Sequence, residues 1–144
     1  MLRPIAGLVF SLVAMAALVF AGSIAPWFAF GIDRVLAPGS FDGTRLLNVW
    51  SVVVSAVGAV AGGWLCWRIS ESRTAVIVFA CLCLVMGLGN AFGQGAKAEP
   101  GPRPSGLSVL EAVKLRKEPA WFTFLVPVVG AVGALVGGGV LPRR

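Results

Sequence analysis

"VVSAVGAVAGGWLCWR" occupies Val53 to Arg68, and 75 residues further on the chain nearly repeats it as "VVGAVGALVGGGVLPR", Val128 to Arg143. Aligned without a gap, the two stretches agree at 9 of 16 positions, among them Gly58 with Gly133, Gly62 with Gly137, Gly63 with Gly138 and Arg68 with Arg143. Val, Ala and Gly dominate both, so shared composition accounts for several matches. An internal duplication, or a structural need met twice, accounts for the rest.

That need has a physical form if the solvent is lipid. Hydrocarbon tails give helices no hydrophobic reason to associate, and close backbone approach between small residues takes its place. Gly58-x-x-x-Gly62 and Gly133-x-x-x-Gly137 each align two glycines on one helix face, and Gly63 and Gly138 extend them. Gly89-x-x-x-Gly93 and Ala17-x-x-x-Ala21-x-x-x-Ala25 have the same spacing elsewhere in the chain. Each predicted helix thus has a close-packing face, directed either at its neighbours or at a partner subunit.

Composition agrees with a lipid setting. The chain has 144 residues, 58% of them apolar and 12% charged, with a mean hydropathy of +0.90, whereas soluble domains carry about a quarter charged residues. The 12 Lys and Arg and 6 Asp and Glu leave four long gaps, Pro4–Ile32, Leu46–Trp67, Thr74–Ala96 and Pro119–Pro142, of 29, 22, 23 and 24 residues. A helical crossing needs about 20 apolar residues, so each gap supplies one crossing and none supplies two. The predicted fold is all-α, a single integral membrane domain over residues 1–144 with spans at about 5–28, 47–67, 74–94 and 120–141. The first apolar run exceeds the about 7 to 15 residues of a secretory signal core and reads as an anchor that is kept.

Aromatic residues mark the expected interfaces. Trp27 closes span one in "PWFAFG", Trp121 opens span four in "PAWFTF", and Trp50 opens span two, so these three form one predicted belt; Trp64 and Trp67 form the opposite one. Basic residues divide seven to five, with Arg34, Arg45, Lys97, Arg103, Lys114, Arg116 and Lys117 on the loop side and Arg3, Arg68, Arg73, Arg143 and Arg144 on the side of the termini. The count favours a cytoplasmic loop side. Four of the five, however, sit directly at span ends, and on that ground the termini are read as cytoplasmic.

The connection 33–45, with "APGSFDG", reads as a short surface turn. Beyond the linker "AEPGPRPSG", the segment "SVLEAVKLRKE" places Ser108 and Glu111 at capping-box spacing and predicts a short amphipathic interfacial helix over about 108–118. Val109, Ala112 and Val113 form its apolar side, interrupted by Arg116, and the helix either lies on anionic headgroups or docks another protein.

Little chemistry is on offer. With no histidine in the chain, the usual metal and haem sites cannot be assembled, and no metal, cofactor or catalytic residue is expected. Cys66, Cys81 and Cys83 read as apolar fillers, because Cys81 and Cys83 point about 200° apart on a helix. No Asp, Glu, Lys or Arg lies at depth, where proton-coupled carriers place them. The polar residues of the spans are mild: Ser11, Ser51, Ser55 and Thr123 can bond to their own backbone. Only Asn48 and Asn90 need partners, and their positions allow them to meet.

The order "GAVAGGWLCWRIS" (58–70), Asn90, "PAWF" (119–122), Pro127 and "GALVGGGV" (133–140) resembles a group of small four-span bacterial membrane proteins of uncharacterised function. The resemblance covers about the last two thirds of the chain and implies a topology. The chain departs from that pattern between Asn90 and Trp121, where a short connection, often with a histidine between prolines, would stand.

The expected function is therefore that of a non-enzymatic accessory or scaffold subunit held in lipid, packing on other membrane subunits or on itself through spare small-residue faces and residues 107–118. The alternative is a small oligomeric channel or transporter for a weakly selected solute, with Ser51, Ser55 and Asn90 along its path. A bilayer-perturbing protein of holin type is a third class. No nucleic-acid partner is expected.

Overall fold

The computed structural model describes residues 2–95, 101, 102, 104, 106 and 108–140, so that Lys97, Arg103, Leu107, Leu141, Arg143 and Arg144 lie outside the described residues. Among the described residues six helices follow in order: α1 (Leu2–Phe30), α2 (Ile32–Val35), α3 (Arg45–Ser70), α4 (Arg73–Gly95), α5 (Val109–Leu115) and α6 (Ala120–Gly137). Among the described residues there are no strands, only two isolated β-bridges. Four helices, α1, α3, α4 and α6, are long and apolar enough to cross a membrane. The chain is an all-α four-helix membrane bundle.

Its outer surface matches that solvent. Phe10, Phe20 and Phe92 are each more than two thirds exposed, and large apolar side chains cover the outside of all four long helices. In water so extensive a patch would drive aggregation.

Contact runs α1 on α3, α3 on α6 and α6 on α4, while α1 and α4 touch only sparsely. The repeated tracts lie against each other. Gly133 meets Ala59, Gly63 meets the carbonyl of Ala134, and Gly137 meets the carbonyl of Val60. The Ala56 carbonyl faces Gly133 and the Val60 carbonyl, one turn later, faces Gly137, one turn later in its own helix, so α3 and α6 run parallel, and Ala59 and Ala134, which correspond at the offset of 75, are both fully buried there. The two G-x-x-x-G motifs nonetheless do not face one another: Gly58 and Gly62 approach Val19 and Met15 of α1, with Phe79 of α4 also against Gly62.

The tracts end differently. α6 stops at Gly137, short of the expected 141, because Gly139 adopts φ +64. The Gly139 N–H then bonds Val136 O at 3.1 Å and the Val140 N–H bonds Leu135 O at 3.1 Å, the two bonds of a Schellman stop. Trp64 stands at the matching position of α3, where a left-handed backbone would be strained, and that helix continues to Ser70. Arg68 lies in the last turn of α3.

A second core sits beyond the loop-side ends of the spans. Trp27, Val35, Leu36, Phe41, Leu47 and Ala112 are buried together. Segment 33–45 is therefore not a plain surface turn. Thr44 N–H and Oγ1 both bond Val35 O at 3.0 Å, Ala37 N–H bonds Asp42 O at 2.9 Å, and Lys117 N–H bonds Phe41 O at 2.9 Å. The Lys117 pairing also shortens the interfacial helix from the expected 108–118 to Val109–Leu115, since residues 116 and 117 are extended to reach it. The helix begins where the capping box places it, with Glu111 N–H on Ser108 Oγ and Ser108 N–H on the Glu111 carboxylate.

Candidate functional site

The bundle is incompletely filled. Because α1 and α4 barely meet, a cavity of about 490 Å³ remains at mid-bundle, lined from all four long helices. Met15 and Val19 of α1, Ser55 and Ala59 of α3, Met86 and Asn90 of α4, and Pro127 of α6 are among its walls. It opens sideways: Val13, Met86 and Asn90 are exposed residues of that lining. Pro127 lies close enough to the Gly87 backbone that a methyl on Gly87 would stand 2.7 Å from its ring. Gly87 is thus the close-contact glycine of α4, although the G-x-x-x-G spacing pointed to Gly89 and Gly93. A side chain added at either of those would meet nothing within 4 Å, and both are exposed. The reason is rotational. Gly89 is about 200° around the helix from Gly87, so the two cannot serve the same neighbour. Ala17, Ala21 and Ala25 are exposed as well, and α1 turns Gly7, Met15, Val19 and Gly22 to α3 instead.

The polar residues of the spans divide into satisfied and unsatisfied. Ser11 Oγ donates to Gly7 O at 2.6 Å, Ser51 Oγ to Leu47 O at 2.8 Å and Thr123 Oγ1 to Pro119 O at 3.0 Å. Ser55 and Asn90, both on the cavity wall, make no side-chain hydrogen bond among the described residues. Asn48 and Asn90 do not bond each other. Asn48 Nδ2 donates to Gly43 O at 3.3 Å, and its Oδ1 accepts from Arg116 Nη2 at 3.3 Å.

Arg116 is the charge drawn into the loop-side core. Its side chain is 10% exposed, its Nη2 lies 3.4 Å from Glu118 Oε1, and its guanidinium carbon stands 5.8 Å from the Phe122 ring centre. Burial pushes the guanidinium below its usual pKa, while the Glu118 carboxylate opposes that shift. Its Nε is buried with no partner among the described residues. As the C-cap of α5 it leaves the helix rather than interrupting the apolar side. Ala112 is fully buried, while Leu110, Val113 and Leu115 remain exposed.

The tryptophans also separate. Trp64, Trp67 and Trp121 are exposed, as interface anchors would be, but Trp27 is 2% exposed and belongs to the loop-side core. It is therefore not a lipid-facing anchor, but shares a buried cluster with Val35 of α2 and Ala112 of α5. Phe122 is buried as well, with Trp121 edge-on to it. Trp50 is exposed, yet its indole N–H is committed to the Gly22 carbonyl of α1. Sequence reasoning missed Phe41, Val35 and Leu36, although their bulk within a turn-rich segment was a visible signal.

Comparison with family models, with curated proteins and with solved structures found no significant match. The likeness to small four-span bacterial proteins rests on its quoted residues alone.

Proposed function

We propose that this membrane protein is a non-enzymatic accessory or scaffold subunit of a bacterial cytoplasmic membrane, with both termini in the cytoplasm, that packs against other membrane helices. The observation that carries this reading is the outward position of Gly89 and Gly93, above which no atom of the described residues stands within 4 Å, at the spacing of a close helix contact. Ala17, Ala21 and Ala25 offer a second such face on α1, and the exposed Leu110, Val113 and Leu115 of α5 offer apolar surface at the interface. Arg34, Arg45 and Lys114 are exposed near that end and suit anionic headgroups. A channel has less support, since Ser51 is bonded within its helix and Ser55 and Asn90 border a mainly apolar cavity rather than a polar path.

The test is purification of the chain from its native membrane in mild detergent, with a photo-crosslinking residue at Gly89. A discrete larger adduct that disappears in Gly93→Leu is expected. Recovery of uncrosslinked monomer alone would overturn the reading.

A further inference from the structure

We propose that the cavity between α1 and α4 is a binding site for an ester-linked acyl chain of a membrane glycerolipid from the leaflet on the loop side. Its opening faces the bilayer, since Val13, Met86 and Asn90 on its rim are exposed between two helices that scarcely touch. The lining runs from Leu12 to Val19 on α1 and from Cys83 to Asn90 on α4, about 10 Å of helix rise in each case, so the cleft is elongated along the helix axes, the direction in which the chains of the surrounding lipid run.

Two polar groups give the site an end. Ser11, Ser51 and Thr123 return their hydroxyls to a backbone carbonyl one turn earlier, whereas the Ser55 hydroxyl and the Asn90 amide make no hydrogen bond among the described residues. An amide without a partner in hydrocarbon is costly. Asn90 stands five residues before the end of α4 at Gly95, about 7 Å below the loop-side end of that helix. There its Nδ2 can donate to the ester carbonyl of a lipid whose methylenes descend past Val19 and Met15 toward Cys83. Ser55 lies deeper and marks the wall rather than the mouth.

The experiment uses the full chain in vesicles holding equal amounts of a diester phosphatidylglycerol and its diether analogue, followed by native mass spectrometry of the detergent-released protein. The expected result is one retained lipid per chain, with the diester favoured about tenfold, the factor that one hydrogen bond is worth. Asn90→Leu should keep a lipid and lose the preference. Ala16→Phe, which fills the cavity from α1, should lose the lipid while keeping the helical circular dichroism of the parent. Equal retention of the two lipids by the parent chain would overturn the proposal, and so would undiminished retention by Ala16→Phe. Recovery of a dimer that Ala16→Phe dissociates would overturn it too, by giving the cleft to a second copy. These outcomes leave the Gly89 and Gly93 face unaffected, so this site and the helix-packing reading stand or fall separately.

Discussion

The indole Nε1 of Trp50 donates a 2.8 Å hydrogen bond to the carbonyl oxygen of Gly22, the acceptor that a proline four residues later leaves without a helical donor. Pro26 lies inside α1 and has no N–H to offer. In lipid no water replaces it, and α3 supplies the missing donor from its second turn. Trp50→Phe keeps the ring and removes the donor, and should destabilise the bundle by about 1 kcal/mol. Pro26→Ala restores the N–H, so the same substitution should cost less than about half as much in that background. Unfolding in mixed detergent, followed by circular dichroism, measures the cycle, and equal losses in both backgrounds would refute the link.

Glycines at equal spacing should respond unequally. A methyl on Gly63 collides with the Ala134 carbonyl and one on Gly137 with the Val60 carbonyl, and backbone cannot step aside cheaply. Gly63→Ala and Gly137→Ala should each cost about 3 kcal/mol. Gly89→Ala and Gly93→Ala meet nothing, and the isolated chain should gain up to about 1 kcal/mol from each. The same unfolding assay separates the two classes; a cost at Gly89 in the monomer would contradict the geometry.

Arg116 joins α5, α3 and the start of α6 through Asn48, Glu118 and Phe122. Asn48→Leu removes an acceptor from a guanidinium already lacking a partner for its Nε, and should loosen the loop-side core by about 1–3 kcal/mol. Faster tryptic cleavage after Lys114, Arg116 and Lys117 is the readout. Arg116→Met, which removes the buried charge as well, should be less harmful than Asn48→Leu.

The α5 cap depends on pH in one direction. Ser108, through its hydroxyl first and its backbone N–H second, holds the Glu111 carboxyl below its ordinary value of 4.5. A lowered folded-state value means that the unfolded segment binds the proton more readily. The stabilisation is therefore complete above about pH 4.5 and is lost as pH falls through the lower, folded value. Tryptophan fluorescence of the buried Trp27 should report loosening on acidification, and Glu111→Gln should remove that transition. A transition of the same size in the variant would assign it to another carboxylate.

Composition and charge spacing were enough to fix the solvent and the four crossings, because both depend on local sums over about 20 residues. The start of α5 was equally legible, since Ser108 and Glu111 satisfy each other within three residues. The choice of faces was not. Gly87, Gly89 and Gly93 differ only by rotation about one axis, and which of them meets Pro127 depends on how α4 is turned against α6. The loop-side core was hidden for a related reason: Phe41 is held by Lys117, and Trp27 shares its core with Ala112, residues dozens of positions apart in the chain. The sequence alone determined that the chain lives in lipid as four helices. Only the tertiary structure decided that the repeated tracts lie side by side, that Trp27 is inside, and that α1 and α4 part around a cavity, because relative rotation and long-range closure leave no mark in any local window.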